Sequence, residues 1–152
     1  MASGELKPEI CNCLALRQAA RVVTQLYDQH LAGSGLRTTQ YSILVRLNRL
    51  GPMTINALAA ELVMDRTTLG RNILPLERDG LVRVRPNAAD ARSRDLELTG
   101  KGANRLRAAR AGWLKAQKRF DAAFGGENAA ELRAVLKAVV ASELGATPLT
   151  DE

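Results

Sequence analysis

Residues 54–84 read TINALAAELVMDRTTLGRNILPLERDGLVRV, and this stretch decides the fold. Thr54 is a good N-cap for a short helix over 55–62, because its hydroxyl can accept a hydrogen bond from a backbone N–H of the first turn. Asp65 can cap the next helix in the same way, with its carboxylate near the positive end of the helix dipole. That second helix is predicted over 66–79. The sequence therefore predicts two short helices joined by a tight turn.

The period of the hydrophobic pattern changes after the second helix. Leu81, Val82 and Val84 indicate a strand, and Leu96 and Leu98 alternate with acidic residues in a return strand. The segment between the two strands begins with a Pro-Asn pair and is polar. These residues predict one β-hairpin with a long, arginine-bearing loop.

The N-terminal flank of this region predicts two more helices. Within residues 8–32, six side chains recur at spacings of three and four, which places them on one stripe of a helix. The stripe comprises Cys13, Leu16, Ala20, Val23, Tyr27 and His30. Thr38 or Thr39 can cap the second helix, which is predicted to run to about Arg49.

The C-terminal flank predicts a long helix and a final one. Thr99 can cap the long helix, which should reach about Phe124. Its expected buried stripe comprises Leu106, Trp113, Phe120 and Phe124. Asn128 with Glu131 is similar to a capping box and predicts the start of the last helix. The apolar face of that helix comprises Leu132, Val135, Leu136, Val139, Val140 and Leu144.

Length and composition limit the class of protein. The chain has 152 residues, which is the length of about one domain, and we expect a single, mainly α-helical domain over 1–152. Two cysteines and one histidine are too few for a disulfide scaffold or a four-ligand zinc site. The sequence shows no catalytic triad, paired carboxylates or glycine-rich phosphate loop. We therefore expect no metal, no cofactor and no enzymatic activity.

The sequence gives no sign of a membrane or secreted protein. No apolar run approaches the roughly 18 residues that span a bilayer. The N-terminus also lacks the apolar core of a secretory signal. We expect a cytoplasmic protein with no membrane partner.

The positive charge of the chain is unevenly distributed. The net charge is +6, and residues 99–120 hold seven basic and no acidic residues. Clustered Lys and Arg gain affinity for a polyanion by releasing its condensed counterions, so a nucleic-acid partner is one interpretation. A solvated helix face is the alternative.

Two capped helices followed by a hairpin are the order of a winged helix-turn-helix. The second helix is narrow enough to enter a DNA major groove, where residues of its first turns reach base edges. Those residues are Arg66, Thr67, Thr68, Arg71 and Asn72. Arg71 can bind a guanine edge with two hydrogen bonds, a contact worth about 1–3 kcal/mol of discrimination. An ordinary polar surface helix is the alternative.

The hairpin loop supports the DNA-binding interpretation. Arg92 lies at or near its tip, where a long cation can enter a narrow minor groove of negative potential. Asp90 is expected to pair with an arginine and hold the loop, since a free carboxylate would repel phosphate. Arg83, Arg85 and Arg94 lie on the flanking strands and are candidate phosphate contacts.

These motifs resemble the MarR family of bacterial regulators. The resemblance rests on residues 57–84, on DARSRDLELT at 90–99 and on the long helix that follows, and it covers essentially the whole chain. It implies a homodimer on a palindromic site in double-stranded DNA, with dimerisation helices at 8–35 and 99–145 and a DNA-binding lobe at 38–98. It also implies major-groove contacts from Arg66, Thr67, Thr68 and Arg71, and a minor-groove contact from Arg92. At Gly70 this chain departs from the larger polar residue of many relatives.

Dimerisation also has a local argument. The predicted terminal helices carry strong apolar stripes, and a small helix-turn-helix core offers little to cover them. A two-fold dimer would place two recognition helices about 34 Å apart, which is one turn of DNA. Packing of these stripes within one subunit is the alternative.

The resemblance suggests two kinds of switch. Around Cys13 the sequence is similar to the peroxide-sensing OhrR branch, with Tyr27 at one matching tyrosine position and Thr38 where a second tyrosine is expected. Cys13 and Tyr27 lie about 21 Å apart along one helix, so they can meet only across an antiparallel dimer interface. A small buried hydrophobe is the alternative role for Cys13.

A small-molecule effector is the competing switch. Family resemblance places effectors, often aromatic acids or their conjugates, between the first helices and the DNA-binding lobe. Arg17, Arg21 or His30 can pair with a carboxylate there, and Tyr27 completes the candidate set. Binding would favour a wing spacing that no longer fits DNA.

The primary hypothesis is a DNA-binding repressor released by a small effector. One alternative is a peroxide-sensing repressor that uses Cys13. Another is a helical dimer that binds proteins and not DNA, since residues 65–98 hold seven basic and six acidic residues and so have little net charge.

Overall fold

The computed structural model describes residues 7–145, which form six α-helices and a three-stranded antiparallel sheet. The helices are α1 Asn12–Leu31, α2 Thr38–Leu50, α3 Ile55–Glu61, α4 Arg66–Arg78, α5 Gly100–Phe124 and α6 Gly126–Ala141. The strands are β1 Met53–Thr54, β2 Val82–Pro86 and β3 Arg94–Leu98. Short 3₁₀ turns lie at Pro8–Ile10, Ala32–Ser34 and Glu143–Gly145. The predicted fold, mainly helical with a small β-wing, is confirmed.

The sheet has the order β1-β3-β2, with both pairings antiparallel. Its register places Val84 opposite Leu96 and Arg83 opposite Glu97. Because strand residues alternate between faces, the apolar pairs face the core and the charged pairs face outward. Strand β1 pairs its Met53 with Leu96 and adds a third strand to the predicted hairpin.

The chain forms two compact units, and the division falls after Trp113, within α5. The first unit holds an aliphatic core contributed by α1 to α5 and the sheet. Fully buried members of this core are Leu31, Ile43, Leu44, Leu58, Leu69, Leu76 and Leu81. The helix-turn-helix and the hairpin therefore share one core.

Three predicted helix caps are confirmed. The Thr54 hydroxyl accepts a hydrogen bond from the Ala57 N–H at 3.1 Å, and the Asp65 carboxylate accepts one from the Thr68 N–H at 2.8 Å. The Thr99 hydroxyl accepts one from the Gly102 N–H at 3.0 Å. Each cap is set by residues three apart, so it could be predicted from local sequence.

The N-cap of α2 is neither Thr38 nor Thr39, so the predicted start is wrong by one or two residues. Arg37 is the N-cap, and the Arg37 N–H donates a hydrogen bond to the Gln40 side-chain oxygen at 3.0 Å. Thr38 instead donates both its N–H and its hydroxyl to Asp28 Oδ1 of α1, each at 2.7 Å. The α1 carboxylate thus supplies the anion at the start of α2.

The predicted start of α6 is also wrong. The chain turns at Gly125, whose φ is 94°, and α6 begins immediately afterwards. Asn128 already lies inside the helix, and its amide donates to the Phe124 carbonyl at 2.8 Å. The positive φ of Gly125 lets the chain turn directly from α5 into α6, and this N-cap residue makes no side-chain cap hydrogen bond.

The apolar stripes of the flanking helices are only partly covered by the chain itself. Leu106 and Trp113 of α5 pack against the core of the first unit. In the second unit, however, Phe124 is 46% exposed, and Val135 of α6 is 60% exposed. The expected burial of the Phe124 side chain is therefore wrong for a single chain. Among the described residues, no helix is long and apolar enough to cross a membrane.

Two glycines of α5 allow close backbone approach within the first unit. A Cβ atom at Gly102 would overlap the carbonyl oxygen of Leu81, and one at Gly112 would overlap that of His30. A side chain at either position would therefore push α5 away from its neighbour.

Replacing Gly112 with alanine should destabilise the protein by about 1–3 kcal/mol, because the methyl group meets rigid backbone. The matched control is Gly70→Ala in α4, where a Cβ would have nothing within 4 Å. That control should stabilise the protein by about 0.5–1 kcal/mol, because alanine has a higher helix propensity than glycine. Urea unfolding at one fixed protein concentration measures both, and equal shifts for the two variants would contradict the proposed close approach.

Candidate nucleic-acid interface

Helix α4 exposes one side of its first two turns to solvent. The five residues predicted here as DNA contacts are Arg66, Thr67, Thr68, Arg71 and Asn72; all are exposed except Asn72, which is half-buried. The opposite side of α4 carries Leu69 and Ile73, which are buried in the core. The sequence pattern therefore places the polar face of α4 outward.

Two of the five predicted residues are engaged within α4. The Thr68 hydroxyl donates to Asp65 Oδ2 at 2.5 Å, and the Asn72 amide donates to the Thr68 carbonyl at 2.9 Å. Within residues 7–145, the guanidinium groups of Arg66 and Arg71 have no hydrogen-bond or ion-pair partner. These two arginines are available for an external anion.

Asp65 is ionised at the start of α4. Hydrogen bonds from the Thr68 side chain and backbone lower the pKa of the Asp65 carboxyl from its ordinary value. The resulting carboxylate accepts the Thr68 N–H and places a negative charge at the helix N-terminus, where it repels another anion. An anionic ligand at this helix would therefore be bound by the arginine side chains, and not by the helix terminus itself.

The turn between α3 and α4 is tight and strained. Val63 N–H donates to the Ala60 carbonyl at 3.2 Å, and Met64 N–H donates to the Ala59 carbonyl at 2.8 Å, which are the paired bonds of a Schellman motif. This motif requires a left-handed residue, and Val63 has a φ of 52°. For a β-branched residue this conformation is unfavourable.

The hairpin loop is held by side-chain to backbone hydrogen bonds. Asp90 Oδ1 accepts from the Arg92 N–H at 3.0 Å. The expected pairing of Asp90 with an arginine is therefore made to the backbone of Arg92, and among the described residues Asp90 forms no ion pair with a guanidinium group. Asp90 holds the loop by this bond to the backbone, because a short carboxylate can reach the N–H of the residue two positions later. The Arg92 guanidinium is left exposed and, within the described part of the chain, without a partner.

Glu97 binds two of the predicted phosphate contacts. Its Oε2 lies 2.6 Å from Arg83 Nη2 and 3.5 Å from Arg85 Nη1. The hydrogen bond from Arg83 lowers the pKa of Glu97, which therefore carries a negative charge at neutral pH. Arg94 is exposed and, in residues 7–145, has no ion-pair partner. Arg94 is therefore more available to bind an external anion than Arg83 or Arg85.

Sequence reasoning missed the role of Glu97. It lies fourteen residues from Arg83 along the chain, and only the strand register brings the two together. An acidic residue directly across a hairpin from a basic one is the signal that could have identified the pair.

The predicted effector residues do not form one enclosed site. Arg17 and Arg21 line a shared open depression, and its other lining residues are Ala20, Thr24 and Gln25, all on α1. His30 lies further along the helix, and its Nδ1 lies 2.8 Å from the Leu26 carbonyl oxygen. Tyr27 is half-buried. The structure therefore brings two of the four candidates together.

Both cysteines are exposed on the single chain. Cys11 is the N-cap of α1, and its sulfur accepts a hydrogen bond from the Leu14 N–H at 3.4 Å. Cys13 lies in the first turn of the helix, so the alternative of a buried hydrophobe does not hold within one chain.

Comparisons with known proteins agree with this geometry. The family model described as the MarR family matches residues 36–93. The M. tuberculosis transcriptional regulator MosR, solved in complex with DNA, is 38% identical; the alignment covers 86% of this chain and 97% of that one, with a TM-score of 0.74. A probable transcriptional regulator from Pseudomonas aeruginosa is 26% identical, with 88% and 99% covered and a TM-score of 0.80.

A curated relative shows more limited coverage. The transcriptional activatory protein BadR of Rhodopseudomonas palustris is 32% identical over 105 residues, which are 66% of this chain. The match spans 60% of the length of BadR.

Replacing Val63 with glycine should stabilise the protein. Removing the side chain relieves about 1–2 kcal/mol of left-handed strain, and the greater backbone freedom of glycine offsets about 0.5–1 kcal/mol of this gain. Val63 is 70% exposed, so little packing is lost. Val63→Ala is the control because it keeps the Cβ atom. Urea midpoints should rank glycine above alanine, and the reverse order would contradict the strained turn.

Proposed function

Because this chain belongs to the MarR family of transcriptional regulators, we propose that it is a homodimeric repressor that a small-molecule effector releases from an inverted-repeat DNA site. The observation that carries the DNA-binding part is that Arg66 and Arg71 of α4 and Arg92 of the hairpin loop are exposed and have no partner among residues 7–145. An unpaired guanidinium can bind either a phosphate or a base edge without first breaking an ion pair.

The proposal gives the arginines different roles. Arg71 projects from the second turn of α4 and binds a guanine edge in the major groove. Arg92 extends from the hairpin loop into the minor groove, where a narrow groove concentrates negative potential. Arg66 and Arg94 contact phosphates, which adds affinity without sequence preference. Arg83 and Arg85 contribute less, because Glu97 already binds them.

The homodimer is supported by the exposed apolar side chains of the terminal helices. On α6 the exposed members of its apolar face are Val135, Leu136, Val139 and Val140. On α1 they include Leu14, Leu16 and Val22. Exposing this many apolar side chains is costly in water, and a second copy with two-fold symmetry would cover the same side chains on both chains. The interlocked regions would be 8–35 and 99–145.

The effector part of the proposal rests on Arg17 and Arg21. Two guanidinium groups beside a shallow depression on α1 suit a carboxylate, and its apolar lining by Ala20 suits an aromatic ring. His30 and Tyr27 are separate candidates further along the helix. An effector bound here releases DNA by favouring a dimer whose lobe spacing does not match the operator.

A thiol switch is the second candidate function, and the exposure of both cysteines favours it. Oxidation of Cys13 would add polar atoms to α1, where apolar residues are proposed to meet the partner chain. Peroxide treatment should then weaken DNA binding by the wild type but not by Cys13→Ser. DNA binding that is unchanged by peroxide would exclude this candidate.

The proposed function is tested by selecting bound duplexes from a random pool. An inverted repeat should be enriched, and adding benzoate, with benzamide as the uncharged control, should reduce recovery. A reporter placed behind the recovered duplex then measures the direction of regulation, since the relative BadR is described as an activatory protein. Absence of any enriched inverted repeat would overturn the proposal and favour a protein-binding module.

Arg92→Ala should weaken binding to the recovered duplex at least tenfold, because it removes one minor-groove contact at each half-site. Arg71→Ala should instead reduce the difference in affinity between the recovered and the shuffled duplex. Fluorescence anisotropy titrations at several salt concentrations measure both effects. The control is Arg49→Ala, an exposed arginine of α2 that belongs neither to the proposed DNA contacts nor to the proposed dimer helices. Equal losses on both duplexes for Arg71→Ala would assign that residue to phosphate.

Val135→Asp should convert the proposed dimer into monomers, because a carboxylate buried at the interface has no partner. Ala134→Asp adds the same charge outside the apolar face of α6 and should leave the dimer intact. Sedimentation at matched concentrations measures both masses. A dimeric Val135→Asp variant would contradict burial of this face between subunits.

A further inference from the structure

The outer face of the hairpin contains a buried carboxylate. Asp95 of β3 is only 9% exposed and is the one buried charged side chain among the described residues. The strand register places it opposite Arg85, but the Arg85 guanidinium is directed to Glu97. The hydrogen bond to the Asp95 carboxylate comes instead from Asn87 Nδ2, at 2.8 Å. A buried carboxylate is costly without such a donor.

The Asn87 side chain connects this carboxylate to the loop backbone. Its Oδ1 accepts hydrogen bonds from Ala89 N–H at 2.8 Å and Asp90 N–H at 2.9 Å. The amide has a single consistent orientation, because the flipped one would direct its oxygen at a carboxylate and its NH₂ at two N–H donors. Asp95 therefore determines which end of the Asn87 amide faces the loop.

The hydrogen bonds continue to the arginine at the loop tip. Asp90, whose N–H is bound by Asn87, accepts from the Arg92 N–H, and Ser93 N–H donates to the Asp90 carbonyl at 3.0 Å. Asn87 N–H closes the loop by donating to the Ser93 carbonyl at 3.0 Å. A continuous series of bonds thus runs from a buried strand residue to the backbone that carries Arg92.

We propose that Asn87 and Asp95 are positioning residues that order the hairpin loop so that Arg92 is presented to DNA. This inference rests on the proposed DNA-binding function. A loop that is already ordered loses less conformational entropy when its arginine binds, so affinity rises without any new contact. Neither Asn87 nor Asp95 needs to touch the nucleic acid.

The charge pattern of the pair allows a test by exchange of the two side chains. Asn87→Asp places a second carboxylate against Asp95, and the two repel. The double exchange N87D/D95N restores one amide and one carboxylate at the same place and keeps the net charge of the wild type. In the double variant, the carboxylate at position 87 accepts the two loop N–H bonds, and the amide at position 95 donates a third bond to it.

The expected results are a roughly tenfold loss of affinity for the selected duplex in N87D and recovery to within about twofold in N87D/D95N, in line with coupling energies of contacting residues. In an Arg92→Ala background, N87D should change affinity less than about twofold, because the residue that it positions is absent. Ala88→Asp is the charge control, since it adds the same charge on an exposed neighbour that makes none of these bonds.

Amide hydrogen exchange provides a readout that needs no DNA. N87D should accelerate exchange at Ala89, Asp90 and Arg92, and the double exchange should restore protection. The inference is overturned if N87D lowers DNA affinity equally with and without Arg92. It is also overturned if the N87D/D95N variant does not regain affinity. Either result leaves the proposed DNA binding in place. If the wild type selects no duplex, the proposed function fails. Hydrogen exchange still tests the inference in that case, because unchanged amide protection in N87D would show that the bond between Asn87 and Asp95 does not order the loop.

Discussion

The close approach of the α5 backbone to its neighbours is the constraint on which the first unit depends. Gly102 permits contact with the Leu81 carbonyl, and Gly112 permits contact with the His30 carbonyl. Thr99 strengthens the first contact, since its hydroxyl caps α5 and also donates to the Gly80 carbonyl at 2.6 Å. Helix α5 is thereby joined to the start of the hairpin at one point and to the end of α1 at another. Because both approaches are to backbone carbonyls, neither position has room for a side chain unless α5 moves away from its neighbour.

Residues 65–98 have little net charge, but their acidic and basic side chains are placed differently. Four of the six acidic side chains bind groups inside the lobe: Asp65 caps a helix, Asp90 binds a backbone N–H, Asp95 binds an amide and Glu97 binds two arginines. The cations left without a partner in the described part of the chain are Arg66, Arg71, Arg92 and Arg94, and they face solvent. Net charge therefore underestimates the capacity of this surface to bind a polyanion, and the protein-binding alternative loses the observation that motivated it. What matters for phosphate is which charges are free, and not their sum.

Local features of this fold could be predicted from sequence, and features that depend on register could not. Thr54, Asp65 and Thr99 were identified because each cap involves residues three apart in a recognisable pattern. Strand β1 was missed because two residues carry no alternation, and it forms only where β3 offers a free edge. The bond between Asn87 and Asp95 was missed for a related reason. Sequence shows an arginine-bearing loop, but the side chain that orders the loop belongs to the neighbouring strand.

Burial differs between the lobe and the helices that flank it, and this difference bears on regulation. The lobe has a closed aliphatic core in one chain, whereas α1 and α6 expose much of their apolar surface. In the proposed dimer, these helices and not α4 then set the distance between the two lobes. Arg17 and Arg21 lie on α1, which contacts α5 at Gly112. In this proposal, a ligand that binds two arrangements of α1 with different affinities would change the lobe spacing and the fit to DNA. It would do so without approaching the arginines proposed to contact DNA.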